Sequence, residues 1–368
     1  MKIKKIKILT KNKNYQIIIG NNIIKNLNKY LISNKINPEK ISLIIDQNVP
    51  KKNINIIKNS LKKYSIFIIN INTNEKIKNI QTVEMIVNKL LKKNFHRNDC
   101  IVAIGGGILG DIAAFSASII KRGIKFVNIP TTLLAQVDSS IGGKTGVNSK
   151  YGKNSIGSFY QPDLVITDIL LLKSLPKKQI ICGYAEILKH ALILNNKLFK
   201  WLLNNGSKII KLNSFLLIQE AIFESSKIKA KIIQKDETEK NLRAVLNFGH
   251  TFAHAFESTN SFSKNISHGE AVLLGMICAL EFSYLNKMLS YNQLQIIKNH
   301  YKKLNLQMNI KKYFKKNNIN QIIDFMKSDK KNFDKKINLV LLKKIGSKPI
   351  ITTFTDKRIK KFLTEKLN

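Results

Sequence analysis

The chain has 368 residues, 44% of them hydrophobic, which is more than one core usually organises and predicts two domains. Its formal charge of +40 comes almost wholly from lysine, with arginine only at Arg97, Arg122, Arg243 and Arg358. Lysine spread from end to end argues against a specific nucleic-acid partner, which would call for a concentrated basic stripe with arginine forks, and points instead to small anionic ligands. Cys100, Cys182 and Cys278 are far apart and form no CxxC, so buried thiols in a reducing, cytoplasmic setting are expected.

The first half alternates β-branched runs with helical patterns. Strands are predicted at 2–9, 15–19, 41–45, 65–71, 100–104, 125–129 and 164–167, and helices at 22–31, 51–63, 79–94 and 109–121. That alternation predicts a doubly wound α/β domain on a parallel sheet, spanning 1–176. The weakly charged stretch from Cys100 to Ile120 could pass for a membrane span, but three successive glycines and Asp111 divide it into strand, turn and helix, so no membrane segment is expected. SLPKK interrupts the pattern near Ser174. Beyond it, helices are predicted at 177–194, 197–204, 212–234, 244–259, 268–288 and 293–304, with a short β-like return at 337–342, giving a mainly α-helical domain over 177–368.

After the strand CIVAI, Gly105, Gly107 and Gly110 satisfy G-x-G-x-x-G before a helix, a context in which backbone amides can approach a pyrophosphate. The acidic residue expected about 20 positions later is missing, since Pro130, Thr131 and Thr132 stand there. Asp46, followed by Asn48, is the alternative ribose contact. The run DSSIGGKTGVN is not a P-loop, because Asp138 occupies the first glycine position. Lys144 beside Asp138, then Lys153 and Asn154, read as a polar loop cluster facing an anion, or else as solvated loop lysines.

In the second half His250 and His254 lie four apart on a predicted helix and project from one face, with His268 following. Neutral imidazoles at that spacing can begin a metal site. No Glu follows His250, so this is not the HExxH of a zinc protease. Glu186 and Lys189, three apart in GYAEILKH, read either as a surface ion pair or as a carboxylate ligand beside a cation. Lys229, Arg243 and Asn247 add cationic and donor groups.

The ordered segments GGGILGD, KRGIKFVNIPTTLLAQVDSSIGGKTGVN, GKNSIGSFYQP, GYAEILKH, RAVLNFGHTFAHAFE and SHGEAV resemble the 3-dehydroquinate synthase family of the shikimate pathway over nearly the whole chain. The resemblance implies a phosphorus–oxygen lyase, with an α/β domain binding NAD and a helical domain binding a divalent metal, zinc or cobalt, through Glu186, His250 and His268. His254 then takes a hydrogen-bonding or proton-relay role. The implied cofactor positions are Asp46, Asn48, Thr73, Glu75, Lys78, Gly106, Gly107, Gly110, Asp111, Thr131, Thr132, Asp138, Lys144, Lys153 and the turn Leu171, Leu172, Lys173 and Ser174.

Implied substrate positions are Asp138, Lys144, Asn154, Lys189, Lys229, Arg243, Asn247, His254 and Lys330 or Lys331. Arg122 matches an arginine that reaches a neighbouring subunit, implying a homodimer. The implied substrate is the sugar phosphate 3-deoxy-D-arabino-heptulosonate 7-phosphate (DAHP). Its conversion runs through transient oxidation by NAD, β-elimination of phosphate, re-reduction and aldol closure. Three departures stand out: Thr73 replaces the family's Asp, Ala253 replaces a glycine, and the C-terminal DKK lacks its usual glycine and arginine.

Overall fold

The computed structural model describes residues 2–260, 266–327 and 336–368. The chain forms two compact units, one of 1–176 with 214–238 and the other of 177–213 with 239–368.

In the first unit, seven strands form one sheet: β1 (Lys4–Ile8), β2 (Tyr15–Gly20), β3 (Lys40–Asp46), β4 (Ser65–Ile71), β5 (Cys100–Gly105), β6 (Lys125–Pro130) and β9 (Leu164–Asp168). Their order is β1-β2-β9-β6-β5-β3-β4, antiparallel at β1–β2 and parallel elsewhere. Helices α1 (Leu27–Ser33), α2 (Lys51–Ser60), α3 (Ile80–Lys92) and α4 (Gly107–Ile119) connect them. Period-two alternation sorts β5 cleanly. Cys100, Val102 and Ile104 join the core holding Leu27 of α1 and Ile57 of α2, while Ile101 and Ala103 join that holding Ile86 of α3 and Ile112 of α4. Helices therefore cover both faces, as a doubly wound sheet requires.

In the first unit a hairpin and a helix depart from the sequence expectation. The polar stretch read as a loop cluster is a hairpin of β7 (Lys144–Ser149) and β8 (Gly152–Phe159). Nearly all of β8 is exposed, so no burial alternation marks it. Helix α7 (Phe215–Lys235), expected with the helical half, belongs to the first unit, where Gln219 donates from Nε2 to the Ile19 carbonyl at 3.0 Å.

The second unit is mainly helical: α5 (Lys177–Leu194), α6 (Asn196–Ile210), α8 (His250–Thr259), α9 (His268–Leu285), α10 (Tyr291–Lys303), α11 (Ile319–Lys327) and α12 (Asp356–Leu367), with a small ribbon of β10 (Ile337–Leu341) and β11 (Ile350–Phe354). Helix α9 is the one helix among the described residues long and apolar enough to cross a membrane; most of it is buried inside this unit.

A buried polar pair ties α5 to α10. The Tyr184 hydroxyl meets His300 Nε2 at 2.8 Å, and burial, aided by Lys303, pushes the His300 imidazole down to about 4 from 6.5. The folded chain thus refuses a proton that the unfolded chain accepts below pH 6.5, so stability present above that value is lost as pH falls toward 4. A shift of this size costs about 2–3 kcal/mol at pH 4.5. His300→Gln should lose less urea resistance than the wild type between pH 7 and 4.5; equal losses in both proteins would remove this account.

Candidate active site

In the first unit, chain order reverses across the sheet between β3 and β5: β4 follows on one side and β6 on the other. The carboxyl ends of strands at such a point form a crevice that suits a nucleotide. Asp46 ends β3, where its Oδ1 accepts from the Asn48 amide and from Asn48 Nδ2, both at 2.9 Å. Gly105 ends β5, and Gly106 precedes the first turn of α4.

The glycines are needed for contact. A Cβ on Gly107 would lie 2.8 Å from Ser139 Oγ, and one on Gly110 would lie 3.3 Å from Asn128 Nδ2. Thr131 donates its amide to the Gly105 carbonyl at 2.9 Å, and Thr132 Oγ1 accepts the Ala135 amide at 3.2 Å. Leu171 to Ser174 lie in a 3-10 turn after β9; Leu171 and Leu172 are buried, and Lys173 sits over the Phe215 ring at 4.8 Å. Asp168 anchors that turn by accepting the amides of Asn22, Ile24 and Leu170.

A polar network continues from the start of α4. Lys78 Nζ donates to Asp111 Oδ2 and to Asn154 Oδ1, both at 2.6 Å. Burial raises the Asp111 carboxyl, and Lys78 partly opposes that shift. The hairpin is pinned over the 73–78 turn: Asn148 Nδ2 donates to Glu75 Oε1 at 2.8 Å, the Asn148 amide to the Lys78 carbonyl at 2.8 Å, and the Asn154 amide to Asn148 Oδ1 at 2.9 Å. Lys153 lies 3.9 Å from Glu75, and Lys144 opens β7 exposed.

Asn148 was absent from the expected site residues, although it connects three of them. The buried Thr73 hydroxyl makes no hydrogen bond. Ninety-one positions after Asp138, Lys229 donates from Nζ to both its carbonyl and its Oδ1 at 2.6 Å. Arg122 sits elsewhere, in a turn where Lys121 and Arg122 both take left-handed φ values, 50° and 62°, before Gly123 at 115°. It lines a cavity of about 350 Å³ with Arg97, Lys13 and Lys125.

In the second unit the expected metal donors converge. Glu186, His250 and His268 each offer a ligand atom, all within 4.8 Å of one another. Glu186 is 1% exposed, and neither of its oxygens makes a hydrogen bond, though Lys189 forms an ion pair with it. That pair is buried, not at the surface. A buried carboxylate that turns one oxygen toward His250 while Lys189 holds the other fits a divalent cation. His250 Nε2 lies 3.6 Å from Glu186 Oε1, while Nδ1 faces the Phe248 carbonyl at 3.3 Å. Burial first, and the Lys189 charge second, hold the His250 imidazole well below its ordinary pKa, keeping it neutral as a ligand must be.

His254, one turn on, packs edgewise on His250 with ring centres 5.4 Å apart, beside the donors but outside their set. Arg243 is buried in the turn before α8, and Asn247 Nδ2 donates to Glu239 Oε1 at 3.3 Å. Lys330 and Lys331 lie outside the described residues.

Close helix approach makes this convergence possible. Gly269, second in α9, lies so near α5 that an added Cβ would be 2.7 Å from Cys182 Cβ. Gly249, at φ 78°, starts α8, and a Cβ on Gly275 would strike its carbonyl oxygen.

Family models described as 3-dehydroquinate synthase N-terminal and C-terminal match residues 68–182 and 183–332. The 3-dehydroquinate synthase of Pelagibacter ubique (strain HTCC1062) is 54% identical over 99% of this chain and 98% of its own length. Among solved structures, 2-deoxy-scyllo-inosose synthase complexed with carbaglucose-6-phosphate, NAD+ and Co2+ superposes with a TM-score of 0.86 at 25% identity, covering 98% of this chain and 99% of that one. The 2-epi-5-epi-valiolone synthase of Streptomyces hygroscopicus, with NAD+ and Zn2+ bound, shares the fold at a TM-score of 0.85 and 22% identity, covering 97% of this chain and 98% of that one. Matched over residues 68–332 by the family models and over 99% of its length by a relative 54% identical, the chain belongs to the 3-dehydroquinate synthase family.

Proposed function

We propose that the protein converts DAHP to 3-dehydroquinate and phosphate, with NAD+ bound by the first unit and zinc or cobalt by the second. The observation that carries this reading is the buried Glu186–His250–His268 donor set in a chain 54% identical to a 3-dehydroquinate synthase. When bound, the metal acidifies a substrate hydroxyl, and the nicotinamide accepts and later returns the hydride.

The chain's own groups bind and orient. Gly106, Gly107 and Gly110 with Thr131 and Thr132 keep the crevice clear for a pyrophosphate, and Asp46, held by Asn48, offers a carboxylate to a ribose. Thr73, Glu75, Lys78, Asp111 and the turn Leu171, Leu172, Lys173 and Ser174 complete that side. Lys144, Lys153, Asn154 and the Asp138–Lys229 pair supply charge and donors in the first unit, as Lys189, Arg243 and Asn247 do in the second, for a phosphate and a carboxylate. His254 stands beside the ligands as hydrogen-bond partner or proton carrier. The substrate phosphate itself takes the proton removed before elimination, so these cations mainly hold it in position.

In a homodimer Arg122 reaches the neighbouring subunit's site from a turn in which Lys121 and Arg122 both take left-handed φ values. Three buried free thiols suit a reducing cytoplasm. The scattered lysines favour small anions over nucleic acid or membrane.

The decisive assay measures phosphate release from DAHP with and without NAD+ and a chelator. Release should require NAD+, stop with the chelator, and leave no net NADH. Accumulating NADH would instead make the protein a polyol dehydrogenase, and sedimentation as a monomer would remove the Arg122 assignment.

A further inference from the structure

Three donors hold a metal well only when each ring is kept with the correct nitrogen forward. Packing and the Phe248 carbonyl supply that restraint for His250, whose side chain is only 13% exposed. His268 differs. It is the first residue of α9, and its side chain is 36% exposed, so burial alone orients it poorly. Its Nδ1 lies 3.4 Å from Glu257 Oε1 and 3.5 Å from Oε2. Glu257 is 12% exposed and sits on α8 two turns after His250, on the stripe that also carries His254.

We propose that Glu257 is a positioning residue for the metal, an inference that rests on the metal reading above. Its carboxylate accepts the Nδ1–H of His268. This selects the tautomer whose Nε2 lone pair is free for the cation, holds the ring plane, and makes the imidazole a stronger donor. Helix α8 would thereby contribute twice to the centre, directly through His250 and indirectly through Glu257, so that the two histidine ligands are referenced to one rigid element. The opposing possibility is a merely structural contact between α8 and α9.

The test uses full-length Glu257→Gln and Glu257→Ala with His250→Ala as control. Zinc affinity is measured by competition with a chromophoric chelator, the visible spectrum of the cobalt-loaded protein is recorded, and melting is followed without metal. Glu257→Ala should bind zinc roughly 10–100-fold more weakly, the usual loss for such a partner, with Glu257→Gln weakened less. The cobalt spectrum should change in both, while metal-free melting of Glu257→Gln stays at the wild-type value.

Wild-type zinc affinity in folded Glu257→Gln and Glu257→Ala would overturn the proposal, as would lowered melting with unchanged affinity. If Glu257→Ala does not fold, Glu257→Gln decides alone. Loss of zinc by His250→Ala alone would refute only the role of Glu257. Retention of zinc by His250→Ala would instead remove the metal site itself.

Discussion

His250→Ala should emerge folded yet without bound metal, and its phosphate release from DAHP should fall by at least about a thousandfold. The scale follows from losing a group that stabilises developing charge at the reacting atoms, worth about 10²–10³-fold for even a single hydrogen-bond donor. The substitution removes one of three donors and leaves Glu186, 1% exposed, facing Lys189 and His268. Two donors hold a labile ion poorly, since sites of this kind use three protein ligands with one position open. Because His250 is held neutral in the folded protein, its loss removes no charge from the fold, and metal-free melting should change little. Full activity in a metal-free preparation of this variant would end the metal assignment.

Gly269→Ala should damage the same centre without touching a ligand. The added methyl would fall 2.7 Å from Cys182 Cβ and 2.8 Å from Cys182 Sγ, and would press on the Cys182 backbone. Cys182 lies one turn before Glu186 on α5, and Gly269 immediately follows His268. Relief therefore requires α5 and the start of α9 to separate. The better helix propensity of Ala offsets at most about 1 kcal/mol, against an overpacking cost of about 1–3 kcal/mol or more because the nearest atom is backbone, Cys182 Cα, so the fold loses stability as well.

The metal should feel more, because ligand distances tolerate only about 0.2 Å. Zinc affinity should fall at least about tenfold, the lower end of what disturbing a ligand's support costs. Gly152→Ala, where an added Cβ meets nothing within 4 Å, serves as the neutral comparison. If both variants bind zinc equally well, helix approach does not set the site.

What could be read from the sequence followed how strongly burial patterned each element. Helix α5 was predicted at 177–194, the span observed, because a long apolar helix leaves a continuous signal. The predicted helix at 244–259 divides at Gly249, whose positive φ ends one turn and starts α8. Helices α11 and α12 went unread, as did β11: α11 and β11 are short, and lysine crowds the polar face of α12. The β7–β8 hairpin went unread because glycine, serine and asparagine dominate a strand with no inner face.

In the candidate site, the i, i+4 spacing of His250 and His254 located the histidine helix, and the same stripe extended to i+7 would have included Glu257. Spacing could not separate ligand from neighbour. Of the two histidines four apart, only His250 reaches the Glu186 carboxylate, while His254 lies one turn beyond the donor set.

By itself, then, the sequence determined the elements whose side chains alternate or repeat against a core, the glycine turn after β5, the histidine-rich helix and, through its ordered motifs, the family. Only the tertiary structure decided that Glu186 meets His250 and His268, that Lys229 returns to Asp138, and that α7 completes the first unit. Local periodicity is written in neighbouring residues. Contacts between residues scores of positions apart depend on how closely helices and strands can approach, and at Gly269 that comes down to the absence of one methyl group.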